Sequence, residues 1–64
     1  MTLTAIVRGS LLSYEVNNNE EISTFLKALS AYKSVDSHYS NAHSGHFTSV
    51  HDEGIVVGHW VVTD

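Results

Sequence analysis

An α+β fold, an antiparallel sheet with one helix packed across one face in the order ββαββ, is the class this sequence predicts. Three observations carry it: a hairpin pattern over residues 1–16, an apolar stripe at helical spacing over residues 22–32, and a second hairpin pattern over residues 46–63. The sheet is expected to have four strands, with a fifth available around Val35–Tyr39, in one domain spanning 1–64.

The first hairpin turns at Gly9-Ser10, because glycine at the first position of a two-residue loop suits a type II′ turn. That turn sets Val7 opposite Leu12, Ala5 opposite Tyr14 and Leu3 opposite Val16, so six apolar or aromatic side chains share one face. The other face carries Thr4, Ile6, Arg8, Leu11, Ser13 and Glu15.

Asn17-Asn18-Asn19-Glu20-Glu21 reads as a helix start. Asparagine side chains accept from the orphan N–H groups of a first turn, and early carboxylates complement the helix dipole. Asn18 with Glu21 has capping-box spacing. Ile22, Phe25, Leu26, Leu29 and Tyr32 then form one stripe on a helix ending near Lys33, and that stripe matches the apolar face of the hairpin.

Residues 34–45 are rich in Ser, His and Asn and read as a loop. The second hairpin runs from His46–His51 to Ile55–Thr63 through Asp52-Glu53-Gly54, a three-residue loop with Gly54 in the left-handed position. In this register Phe47 faces His59, while His46 faces Trp60 on the opposite side. The last strand, Ile55 to Val62, is apolar on both faces, whereas a strand with one solvated face alternates. One helix covers one face, so two readings stand: a central strand whose second face is covered by residues 34–45, or, as the favoured expectation, Val56, Trp60 and Val62 meeting another chain.

Size and charge bound the function. A chain of 64 residues hides only about 60% of the surface its unfolded form exposes, so burial and conformational entropy nearly cancel. Without cysteine there is no disulfide or thiolate metal site to add stability, and self-association or a partner becomes a natural source of it. Three basic residues against seven acidic ones, for a net charge of −4, make no cationic stripe for phosphates, so nucleic acid is not an expected partner. No apolar run is long enough for a membrane span, Met1-Thr2-Leu3-Thr4-Ala5 has no basic signal-peptide start, and a cytoplasmic location is expected.

Catalytic signatures are missing. There is no G-x-S-x-G elbow, no H-E-x-x-H and no Gly-rich phosphate loop followed by Lys, and without proline the N-terminal-proline chemistry of small tautomerases has no base. The expectation is therefore a non-enzyme with no cofactor. The five histidines raise a metal reading, in which His43 and His46 converge with help from His38 or Asp36. Solvated loop histidines and cross-strand packing are the competing explanation.

The expected function is that of a small acidic protein-binding regulator or inhibitor, homodimeric and acting by occlusion. Its contact residues would be Val56, Trp60, Val62, His46 and Phe47, with Asp52 and Glu53 as a negative rim that steers towards a basic surface. Small phage and plasmid accessory proteins that silence host enzymes share this size and charge, an analogy of class only. The alternatives are a structural subunit of a larger assembly and a His-loop metal binder.

Overall fold

The computed structural model describes residues 1–64, in the order β1 (Thr2–Val7), β2 (Ser10–Glu15), α1 (Asn19–Lys33), β3 (Val35–Asn41), β4 (Ser44–Ser49) and β5 (Val56–Thr63). The strands form one antiparallel sheet in the spatial order β2-β1-β5-β4-β3, and α1 packs on one face of it. The final strand is thus the central one, laddered to β1 on one side and β4 on the other.

The first hairpin turns one residue earlier than predicted, at Arg8-Gly9. Both residues have positive φ, 48° and 83°, the signature of a type I′ turn, whose twist matches that of the flanking strands. Leu3 now faces Tyr14, Ala5 faces Leu12 and Val7 faces Ser10. Relative to the predicted pairing the partner strand has moved by two residues. A side-chain period of two keeps the apolar set on the same face, so the predicted face is correct although the pairing is not. Arg8 also serves the helix. Its guanidinium donates to the Lys33 carbonyl at 2.7 Å and to Ser49 Oγ at 3.3 Å, tying the turn to the helix C-terminus and the end of β4.

The helix begins as its sequence suggests. The Glu21 amide donates to Asn18 Oδ1 at 3.0 Å, and Glu21 reaches back to accept from the Asn17 amide at 2.9 Å, one residue beyond the usual capping-box partner. Ile22, Leu26 and Leu29 are buried and Phe25 is half-buried, its ring stacked on Tyr14 at 5.1 Å. Tyr32 is a correction: it is 77% exposed, so the buried stripe stops at Leu29. Ser34, at φ 56°, ends the helix in the left-handed conformation with its amide on the Ser30 carbonyl.

Residues 35–41, predicted as loop with at most a short edge strand, form a full edge strand paired with β4, and an Asx turn in which Asn41 Oδ1 accepts from the His43 amide joins the two. The second hairpin differs more. His46 faces His59, Phe47 faces Gly58 and Gly45 faces Trp60, one residue away from the predicted pairing. A shift of one inverts the strand relationship, so Phe47 and Trp60, predicted on opposite faces, share the helix side. The connection is longer than three residues and is organised by Ser49, whose Oγ accepts from the His51 and Asp52 amides at 3.2 Å each.

The core lies between α1 and the sheet, with Leu3, Val7, Phe47, Trp60 and Val62 beneath Ile22, Leu26 and Leu29. The indole lies across Gly45, its Nε1 donating to the His38 carbonyl at 3.1 Å and its ring meeting Tyr39 edge-on at 5.0 Å. Any Cβ at Gly45 would collide with that carbonyl and with the indole, so this position accepts glycine alone.

Candidate functional site

No helix covers the second face of the sheet. Along β1 the burial alternates, with Leu3, Ala5 and Val7 under the helix and Ile6 half exposed on the open side; along β5 Gly58, Trp60 and Val62 are buried while His59 and Val61 are exposed. The paired positions Leu11–Ile6, Ile6–His59, His59–His46 and His46–His38 join into one row that crosses all five strands on this open face. Two aliphatic side chains occupy one end of the row and three imidazoles the other. Thr4 faces Ser13 and Val61 in the neighbouring row, and Val61 faces Ser44.

The charges stand at the edges. Glu15, on β2, accepts from Thr2 Oγ1 at 2.7 Å, and Asp36 sits on β3. No lysine or arginine lies on these rows: Lys27 and Lys33 belong to the helix, and Arg8 is turned to the helix C-terminus. Imidazole contacts dominate the β3–β4 end. The His38 and His46 rings stack with centroids 4.8 Å apart and planes 14° from parallel, and His38 Nε2 lies 2.8 Å from Thr48 Oγ1. Beside them a depression of about 410 Å³ is lined by Asp36, His38, Thr48, Ser49, Val50, Glu53 and Gly54. A smaller apolar cleft of about 250 Å³ lies between β2 and the helix, lined by Tyr14, Phe25, Ala28, Leu29 and Tyr32.

These placements sort the predicted contact residues. Trp60, Val62 and Phe47 are 2%, 6% and 0% exposed, so they are core and not a free surface; the reason is the register of the second hairpin, which turns their face towards α1. Val56 is half exposed, His46 is half-buried on the open face, and Asp52 and Glu53 are exposed in the loop before β5. The predicted convergence of His43 with His46 is also replaced: His46 stacks on His38, and His43 sits in the β3–β4 turn. No three His, Asp or Glu side chains come together closely enough to enclose an ion.

Sequence reasoning missed Ile6 and Leu11 as interface features and, although it named His38 as a possible ligand, missed the direct pairing of His38 with His46. A signal existed for the first two, since the predicted hairpin already placed two aliphatics on its nominally solvated face. The pairing of His38 with His46 had none, because His38's own segment was read as a loop. No helix is long and apolar enough to cross a membrane. Comparison of the chain with protein-family models, curated proteins and solved structures gives no match.

Proposed function

We propose that this chain is a small non-enzymatic protein-binding domain whose partner across the open sheet face is a second copy of itself. The observation that carries the reading is the uncovered face, where Leu11, Ile6 and Val61 are 68%, 50% and 43% exposed on the surface of a chain that buries little. Contiguous apolar surface on a sheet is the usual mark of an interface, and face-to-face packing of two sheets about 10 Å apart is its simplest cover.

Area and charge support the second copy. A body of 32 × 20 × 16 Å carries about a fifth of its surface on one broad face, so of 4006 Å² the face supplies close to the ~800 Å² per partner of a stable interface. The centre of the face carries no carboxylate, lysine or arginine, and Glu15 and Asp36 stand at opposite edges, so two copies of an otherwise acidic chain meet without like charges in contact. A two-fold axis pairs the same surface with itself and closes the assembly at two.

Sedimentation equilibrium tests it. The wild type is expected at twice 7.0 kDa, and Ile6→Lys at the monomer mass with an unchanged far-ultraviolet circular dichroism spectrum. A wild-type monomer at millimolar concentration, or a dimer indifferent to Ile6→Lys, would sink the proposal.

A second reading keeps the regulator or inhibitor role, with the C-terminal hairpin occluding a basic protein surface. One feature favours it: Val50, Ile55 and Val56 are each more than half exposed around Asp52 and Glu53, an apolar tip with a negative rim.

A further inference from the structure

We infer that the His38–His46 pair is a two-imidazole binding site for a borderline divalent transition-metal ion of the zinc and copper class. The two residues face each other across the β3–β4 ladder, on strands held by backbone pairing, so the imidazoles are delivered as a pair before any ion arrives. Their rings are nearly parallel, with centroids 4.8 Å apart. A tetrahedral zinc ion with Zn–N bonds of about 2.0–2.1 Å draws two nitrogens to about 3.3 Å of one another. The in-plane lone pairs of such a stack run side by side and do not converge, so binding requires the two side chains to rotate out of the stack towards one ion.

Two neighbours favour a cation here. Thr48 Oγ1 lies 2.8 Å from His38 Nε2; when that nitrogen carries the proton and donates it, Nδ1 keeps its lone pair for a metal. Metal-ligating histidines are commonly oriented in this way by an oxygen acceptor on the second nitrogen. The adjoining depression contains Asp36 and Glu53, whose carboxylates make the local potential negative and whose surroundings leave room for the ion's water ligands. Neither carboxylate converges with the pair as a third ligand, so in the free monomer water completes the coordination, and a second copy seated on the open face competes with the ion. Imidazole donors select zinc, copper or nickel over calcium and magnesium, which take oxygen ligands.

Titration of the full chain with ZnCl₂ at pH 7.5 tests the site by calorimetry and by NMR of the imidazole nitrogens. One equivalent is expected to bind, with the ring resonances of His38 and His46 moving together and those of His43 and His51 staying in place. Loss of either member removes the chelate, so His46→Gln and His38→Gln are each expected to raise the Kd at least about tenfold. His43→Gln should leave it unchanged. MgCl₂ at the same concentration should move none of these resonances. The assignment is overturned by zinc that perturbs other histidines first, by equal affinity in the His38→Gln and wild-type chains, or by the absence of binding at millimolar zinc both to the wild type and to the Ile6→Lys monomer, whose open face is uncovered. His38 is on an exposed edge strand, so its variant tests the site even where His46→Gln fails to fold, and the wild-type NMR needs no variant.

Discussion

Arg8 does two opposed things, and substituting it separates them. Its side chain closes the C-terminus of α1 by a charge-assisted bond of 2.7 Å to the Lys33 carbonyl, with a weaker contact to Ser49. A hydrogen bond to a charged group contributes about 1.5–3 kcal/mol when sheltered, and this one is exposed, so about 1–2 kcal/mol is expected, the favourable position at the negative end of the helix dipole included. Its backbone, at φ 48°, costs about 1–2 kcal/mol relative to glycine, and less for asparagine, which tolerates the left-handed region. Arg8→Ala removes the clamp and keeps the strain, so it should destabilise by about 1.5 kcal/mol. In a domain of this size that lowers the Tm by about 6–12 °C. Arg8→Asn also removes the clamp but creates Asn-Gly, a preferred type I′ pair, and should recover about half of the loss. Urea denaturation followed by circular dichroism reads both. An Arg8→Ala chain within 0.5 kcal/mol of wild type would refute the clamp, and an Arg8→Asn chain no more stable than Arg8→Ala would refute the turn argument.

Three further outcomes follow from the packing. Trp60→Ala deletes a side chain that is 2% exposed and hydrogen-bonded to His38, so a loss of about 3–5 kcal/mol is expected, enough to unfold most of a chain this small at 25 °C, as a circular dichroism melt would show. Gly45→Ala forces a methyl into the His38 carbonyl and the indole, and should cost about 3 kcal/mol or more with a red shift of Trp60 fluorescence as β3 is pushed away. Ser30→Ala removes a buried hydroxyl that has no partner and installs a better helix former, so chemical denaturation should find it more stable by about 0.5–1 kcal/mol.

The helix was legible almost to the residue, because its cap, its stripe and its first-turn carboxylates all agree. The two hairpins show where such agreement ends. In the first, one face is apolar and the other mixed, so an error of two residues in pairing still leaves Leu3, Ala5 and Val7 inward. In the second, β5 is apolar on both sides, so the pattern does not choose between pairings one residue apart, and the wrong choice turned Trp60 outward. A finer signal was present. Only the true register sets both aromatics against glycines, Phe47 against Gly58 and Trp60 against Gly45, and an aromatic covering a cross-strand glycine is a favourable pair. The β3 strand was hidden by composition, since Ser, His and Asn mark turns more often than strands, and here pairing with β4 overrides that preference. The open face with its imidazole row depends on both corrections, and so could not be assembled from the residue order.

Placing the last strand in the middle of the sheet has a kinetic consequence. The β1–β2 and β3–β4 hairpins are local and can close within about 1–10 μs, but no backbone ladder joins them until β5 inserts between. That step brings Thr63 beside Thr2 from the far end of the polypeptide, so the entropy of closing the longest loop in the molecule falls on the rate-limiting event. The amides of β5 and β1 should be the slowest to exchange with deuterium, opening only when the whole molecule unfolds, whereas the outer edges β2 and β3 fray independently.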